Sequence, residues 1–146
     1  MKGKLERAVT LLREGGYTCV FCSEDTCLTD RRRGVKPLLE LYRAGTRLHG
    51  FAAADKVVGK AAAYLYVLLE VETVHAQTLS RPAREVLARY GIPVSCTVLT
   101  EAIRDRSGNG FCPMERAVWS VEDPAQALAA IEERLSQLEA SDGKQK

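Results

Sequence analysis

No apolar run in this chain is long enough to cross a bilayer. The longest, Ala61 to Leu69, falls far short of the roughly 20 residues a membrane helix needs. The opening MKGKLERAVTLLREGG has no apolar core of the kind a secretory signal carries, so a cytoplasmic protein with no membrane partner is expected. An excess of one charge is missing as well. The net charge of +2 argues against nucleic acid as a partner, although a local basic patch would be compatible with it. Cysteine lacks an even count: Cys19, Cys22, Cys27, Cys96 and Cys112, which suggests reduced thiols rather than a disulfide framework. No complete catalytic signature is present, and no metal or cofactor is expected.

What is present suffices for a folded domain. A chain of 146 residues, 46% hydrophobic and 27% charged, can bury a core unaided and does not have the composition of a disordered one. With no repeat or linker, one domain is expected over residues 1–140, followed by a flexible polar tail at 141–146.

The order of elements reads as α/β. Leu5, Ala8, Val9 and Leu12 lie at helical spacing over 3–14, and Gly15-Gly16 stops that helix. YTCVFCS (17–23) and TCLTD (26–30) form an antiparallel hairpin. A helix at 34–44 follows, with Pro37 in its first turn. A strand at 48–54 then leads through a charged turn, Asp55-Lys56, into a buried helix at 57–70. The strand TVHAQTL (73–79) precedes a helix at 81–90 with Ser80 as its N-cap, and PVSCTVL (93–99) is the last strand. Helices at 113–119 and 124–140 finish the chain, the second capped by Asp123 with Gln126 completing a capping box. Strand–helix–strand connections make the later strands parallel. The outcome is a mixed five-stranded sheet in a three-layer α/β/α arrangement, plus C-terminal helices.

That order resembles the cytidine-deaminase-like fold. The words ADKVVGKAAA (54–63) and GNGFCPMERAV (108–118) are more closely similar to a small prokaryotic family of uncharacterised proteins with that fold, over residues 4–120. The resemblance implies a scaffold and little chemistry. Zinc deaminases place a His or Cys ligand, with Glu two residues on, at the start of the second helix, and a Pro-Cys-x-x-Cys pair at the start of the third. Here those slots hold Arg33-Gly34-Val35-Lys36 and Asp55-Lys56-Val57-Val58. Neither is a zinc-binding set, so zinc-dependent deamination is not expected. His75-Ala76-Gln77 imitates a deaminase word but lies in a strand and lacks the glutamate.

Three places remain as candidates. Cys19 and Cys22 match Cys-x-x-Cys, yet on a strand they point to opposite faces and read as structural. A disulfide between Cys22 and Cys27 across the hairpin is not expected in a reducing compartment. Lys56, Gly59 and Lys60 open the buried helix, where free N–H groups could hold an anion. The plainer alternative is a solvated Lys56, with Gly59 allowing close packing. The loop containing Gly108, Asn109 and Gly110 can form an anion-binding nest. Cys112 follows it at a helix start, a position that favours a thiolate, while Glu115 could act there or serve as a cap. Topology brings Asp55, this loop, Arg33 and Lys36 to one edge of the sheet.

The leading expectation is therefore a small anionic ligand, phosphate-bearing or nucleotide-like, bound without zinc chemistry. One alternative is an enzyme using Cys112 as nucleophile or sulfur carrier, assisted by Asp55 or Glu115. Another is an interaction module in which Leu128, Ile131, Leu135 and Leu138 on the last helix form a homodimer.

Overall fold

Ala52, Ala53 and Ala54 have so little side-chain volume that the centre of the sheet is covered closely on both faces, and all three are fully buried. They open the central strand of a computed structural model that describes residues 3–104 and 112–144, with side chains to residue 140. The elements are α1 (Lys4–Gly15), β1 (Cys19–Cys22), β2 (Cys27–Asp30), α2 (Lys36–Arg43), β3 (Ala52–Val58), α3 (Lys60–Leu69), β4 (Thr73–Ser80), α4 (Arg81–Arg89), β5 (Val94–Thr100), α5 (Pro113–Ala117) and α6 (Pro124–Lys144).

One sheet has the order β2-β1-β3-β4-β5. β1 is antiparallel to both β2 and β3, while β3, β4 and β5 run parallel. β2 and β3 therefore run the same way, and their carboxyl ends reach the same edge. On one face, Ala8 and Leu12 of α1 pack with Val20, Cys22 and Ala54. On the other, Phe21, Ala53, Val74 and Ala76 meet the apolar sides of α2, α3 and α4. α3 is buried almost all round because α6 lies against its outer side, with Ala127 and Ile131 fully buried.

Several expectations from the sequence are met. Ser80 caps α4 by accepting from Ala83 N–H at 3.2 Å. Asp123 accepts from Gln126 N–H at 3.1 Å. Cys19 and Cys22 do face opposite sides of the sheet, each inside a different apolar cluster.

Others are corrected. Asp55 and Lys56 do not form a turn: β3 continues to Val58 and only Gly59 separates it from α3. Polar residues near a strand end resemble a turn, but here the backbone ladder to β4 holds them extended. Cys22 and Cys27 lie directly opposite each other, Cα atoms 4.2 Å apart, and are joined as a disulfide. α6 runs on to Lys144, past the expected end near 140. Its Ile131 is fully buried, and Leu128, Leu135 and Leu138, partly buried, pack against the core of the same chain, the body-packing alternative for that stripe. No helix among the described residues is long and apolar enough to cross a membrane.

Candidate functional site

The strand register places Asp30, Cys19 and Asp55 side by side across β2, β1 and β3, with Ala76 and Cys96 completing the row. Directly paired residues point to the same face, so two carboxylates and a thiol line up near the carboxyl edge. Asp55 is the centre of the row. Its Oδ2 accepts from the Tyr66 hydroxyl at 2.6 Å, and its Oδ1 accepts from Val57 N–H at 3.3 Å. The residue is half-buried overall, but its carboxyl is enclosed. Burial pushes its pKa up to about 7, against a smaller lowering by the Tyr66 and backbone hydrogen bonds. The Tyr66 phenol is driven well above its ordinary value by burial and by Asp55. The Cys19 thiol is raised by burial, Asp55 and Asp30, which keeps it protonated and unreactive.

Thr18, just before β1, ties the neighbouring cations to this edge. Its carbonyl accepts from Lys56 N–H at 3.0 Å, and its hydroxyl donates to Arg32 C=O at 2.7 Å. Arg32 itself is committed to Asp30 at 2.8 Å and Glu40 at 2.6 Å. Arg31 lies over the Tyr17 ring, 4.3 Å from its centroid. Arg33 and Lys56 are exposed and form no ion pair among the described residues. Lys36 pairs with Glu139 at 3.6 Å on the surface, an arrangement of small energy. Beside Arg32 a cavity of about 300 Å³ opens between β2 and α2, with Phe21, Leu28, Pro37 and Leu41 as apolar walls and Asp30 and Glu40 at its polar side.

The start of α3 is used differently from the sequence expectation. Glu115 of α5 is 5% exposed, and its two oxygens accept from Lys60 N–H at 2.8 Å and Ala61 N–H at 3.1 Å. The protein thus supplies its own anion to the helix N-terminus offered to a ligand. A Cβ on Gly59 would fall onto that carboxylate, so the glycine is there to admit Glu115. The Lys60 ammonium donates to Trp119 C=O at 3.0 Å, and burial lowers its pKa. Glu115 does not cap its own short helix, and it is unavailable as a free base.

Cys112 precedes α5 and packs, partly buried, against the core. Its N–H donates to Ile103 C=O at 3.0 Å. Among the described residues no hydrogen bond joins the Cys112 thiol to Asp55 or Glu115, whose carboxylates are held by Tyr66 and by the start of α3. Gly108, Asn109 and Gly110 lie outside the described residues. His75 sits on β4, 2.8 Å from Ser95 Oγ through Nδ1, in keeping with a structural histidine. Among the described residues no group of three or more His, Cys, Asp or Glu side chains could hold a metal ion.

Tyr66, Thr18 and Asp30 are the members that sequence reading missed. Tyr66 offers one signal, a hydroxyl on a helix that is otherwise apolar all round, since a buried phenol needs a partner.

The comparisons with known proteins follow the same architecture. The profile of a family described as TM1506, a domain of unknown function (DUF1893), matches residues 7–135. The chain is similar to the crystal structure of a DUF1893 family protein (TM1506) from Thermotoga maritima. That likeness has a TM-score of 0.82 at 27% sequence identity and covers 94% of this chain and 91% of the other. No curated protein matches.

Proposed function

The chain belongs to the DUF1893 family, a domain of unknown function, so its activity has to be argued from its own side chains. From them we propose that it binds a small anionic ligand, phosphate-bearing or nucleotide-like, at the carboxyl edge beside Thr18. The scaffold in this reading is deaminase-like but runs no zinc-dependent deamination. Its slots for zinc ligands hold Asp55, Lys56 and Arg33 instead.

The observation that carries the reading is the double tie of Thr18 to Arg32 and Lys56. Arg33 follows Arg32 in the chain, and Arg33 and Lys56 are both exposed and without ion pairs among the described residues. Lys36 is close in sequence and held only by a surface pair. Ligands of open α/β sheets occupy this edge, and unpaired cations there attract a dianionic group. Asp55, whose pKa burial raises to about 7, faces the other side of β3 from Lys56 and is held there by Tyr66, so it stays outside this contact.

Thermal shift and calorimetry against inorganic phosphate, mononucleotides and sugar phosphates test this. Stabilisation by one of these classes is expected, and Arg33→Glu with Lys56→Glu should abolish it while leaving the unliganded melting temperature nearly unchanged. A wild-type protein indifferent to every compound, or one whose binding survives both charge reversals, would sink the proposal.

A further inference from the structure

The sheet ends in two unlike edges. β2 is short, Cys27–Asp30, and finishes on a charged residue that holds Arg32. β5 is longer, Val94–Thr100, and reads VSCTVLT. It contains no charge, proline or glycine, although natural edge strands are usually blunted by such devices. Pro93 C=O accepts from Val74 N–H at 3.1 Å, so the polar groups of Pro93 point toward β4. Backbone direction alternates along a strand, and the ladder to β4 has no break in register. The N–H and C=O groups of Val94, Cys96, Val98 and Thr100 therefore point outward. None has a partner among the described residues. Val98 is also 52% exposed, in a strand built of residues that favour pairing.

We propose that β5 pairs with β5 of a second copy of this chain, antiparallel about a two-fold axis through Thr97, so that the sheet continues across the dimer. The strand is complementary to itself in this register. Val94 faces Thr100 and Cys96 faces Val98, and all four are residues whose backbone groups point outward, so both pairs exchange hydrogen bonds, twice over by symmetry. Between them Thr97 meets Thr97 and Ser95 meets Leu99 as pairs without backbone bonds, where side chains approach more closely. No two like charges meet anywhere along this ladder. Pro93 falls opposite Glu101, just beyond the ladder at either end.

A foreign strand would need a sequence and register of its own to match this edge. A second copy brings the match with it, as an isologous interface does. The surface is separate from the stripe of α6, which packs partly against the chain's own core, and independent of the ligand reading.

Light scattering with sedimentation across micromolar concentrations is the test. The wild type is expected to approach twice the chain mass of 16.1 kDa. Val98→Pro removes only an outward N–H and keeps every bond to β4, while Val98→Lys places a charge on the edge. Each should weaken the dimer at least about tenfold, with the far-ultraviolet circular dichroism unchanged. Under mild oxidation, Thr97→Cys should cross-link to a dimer on a non-reducing gel in a Cys96→Ser, Cys112→Ser background, whereas Ser95→Cys, opposite Leu99, should not. If Val98→Pro fails to fold, Val98→Lys and the cross-linking pair decide. A wild type that stays at the single-chain mass throughout overturns the proposal, even if a foreign peptide then binds the edge. So does a dimer unaffected by Val98→Lys and cross-linked equally at both positions.

Discussion

Glu115 occupies the space that a side chain on Gly59 would take, and from there it caps α3 through Lys60 N–H and Ala61 N–H. A carboxylate at a helix N-terminus satisfies orphan donors and meets the positive end of the dipole. Gly59→Ala is expected to push the two apart and cost roughly 2 kcal/mol, as expected when packing and a cap are lost together. Glu115→Gln keeps the shape and one acceptor, and should cost less, about 1 kcal/mol. Denaturant titration of both variants checks this, and equal stability of Gly59→Ala and wild type would contradict it.

Asp55 gives stability a pH dependence of unusual direction. Its pKa is raised from 3.8 to about 7 in the folded chain, so between those values the folded state holds a proton that the unfolded state has released. Its contribution is complete below about pH 4 and is lost as pH rises through about 7. Each tenfold change in proton affinity corresponds to about 1.4 kcal/mol, which makes the loss on the order of 4 kcal/mol. Asp55→Asn should flatten this part of the stability curve. An unchanged slope in the variant would assign it to other groups.

The Tyr66 hydroxyl holds that pKa down, because it donates to the ionised carboxylate. Tyr66→Phe is therefore expected to move the Asp55 midpoint further up, and to remove about 1 kcal/mol of stability with the hydrogen bond. Carbon-13 shifts of the Asp55 carboxyl across a pH titration measure the first effect directly. A midpoint that falls in the variant would reverse the assignment.

The Cys22–Cys27 bridge closes a short loop with a sequence separation of 5. By the chain-entropy relation such a loop contributes about 2 kcal/mol. Cys27→Ser should lower the unfolding free energy by that order. Thiol titration of the unfolded, unreduced wild type should detect Cys19, Cys96 and Cys112 but not Cys22 and Cys27. Finding all five cysteines reactive would show the bridge to be absent.

Ile131 is fully buried where α6 meets the core. Ile131→Ala should cost roughly 2–4 kcal/mol through lost burial and a residual cavity. A negligible change in denaturation midpoint would mean that α6 is not held to the body as described.

Local signals were legible wherever one residue type answers to one backbone need. Ser80 and Asp123 announced helix starts, and the β-branched and aromatic run around Cys19 to Cys22 announced a strand. Asp55-Lys56 misled because a charged pair near a strand end looks like a turn, when only the ladder to β4 decides that the strand continues. Glu115 misled for a related reason: its partners Lys60 and Ala61 are remote in sequence, whereas the obvious local cap was its own helix.

By itself, then, the order of amino acids determined the α/β class and the succession of helices and strands. Periodicity and capping act over a few residues, so they can be read along the chain. Tertiary structure alone decided that Asp55 meets Tyr66, that Glu115 fills the anion position at α3, that Cys22 joins Cys27, and that Ile131 of α6 is buried in the chain's own core. Each of those contacts depends on register and packing between segments, where burial rather than local propensity sets the outcome.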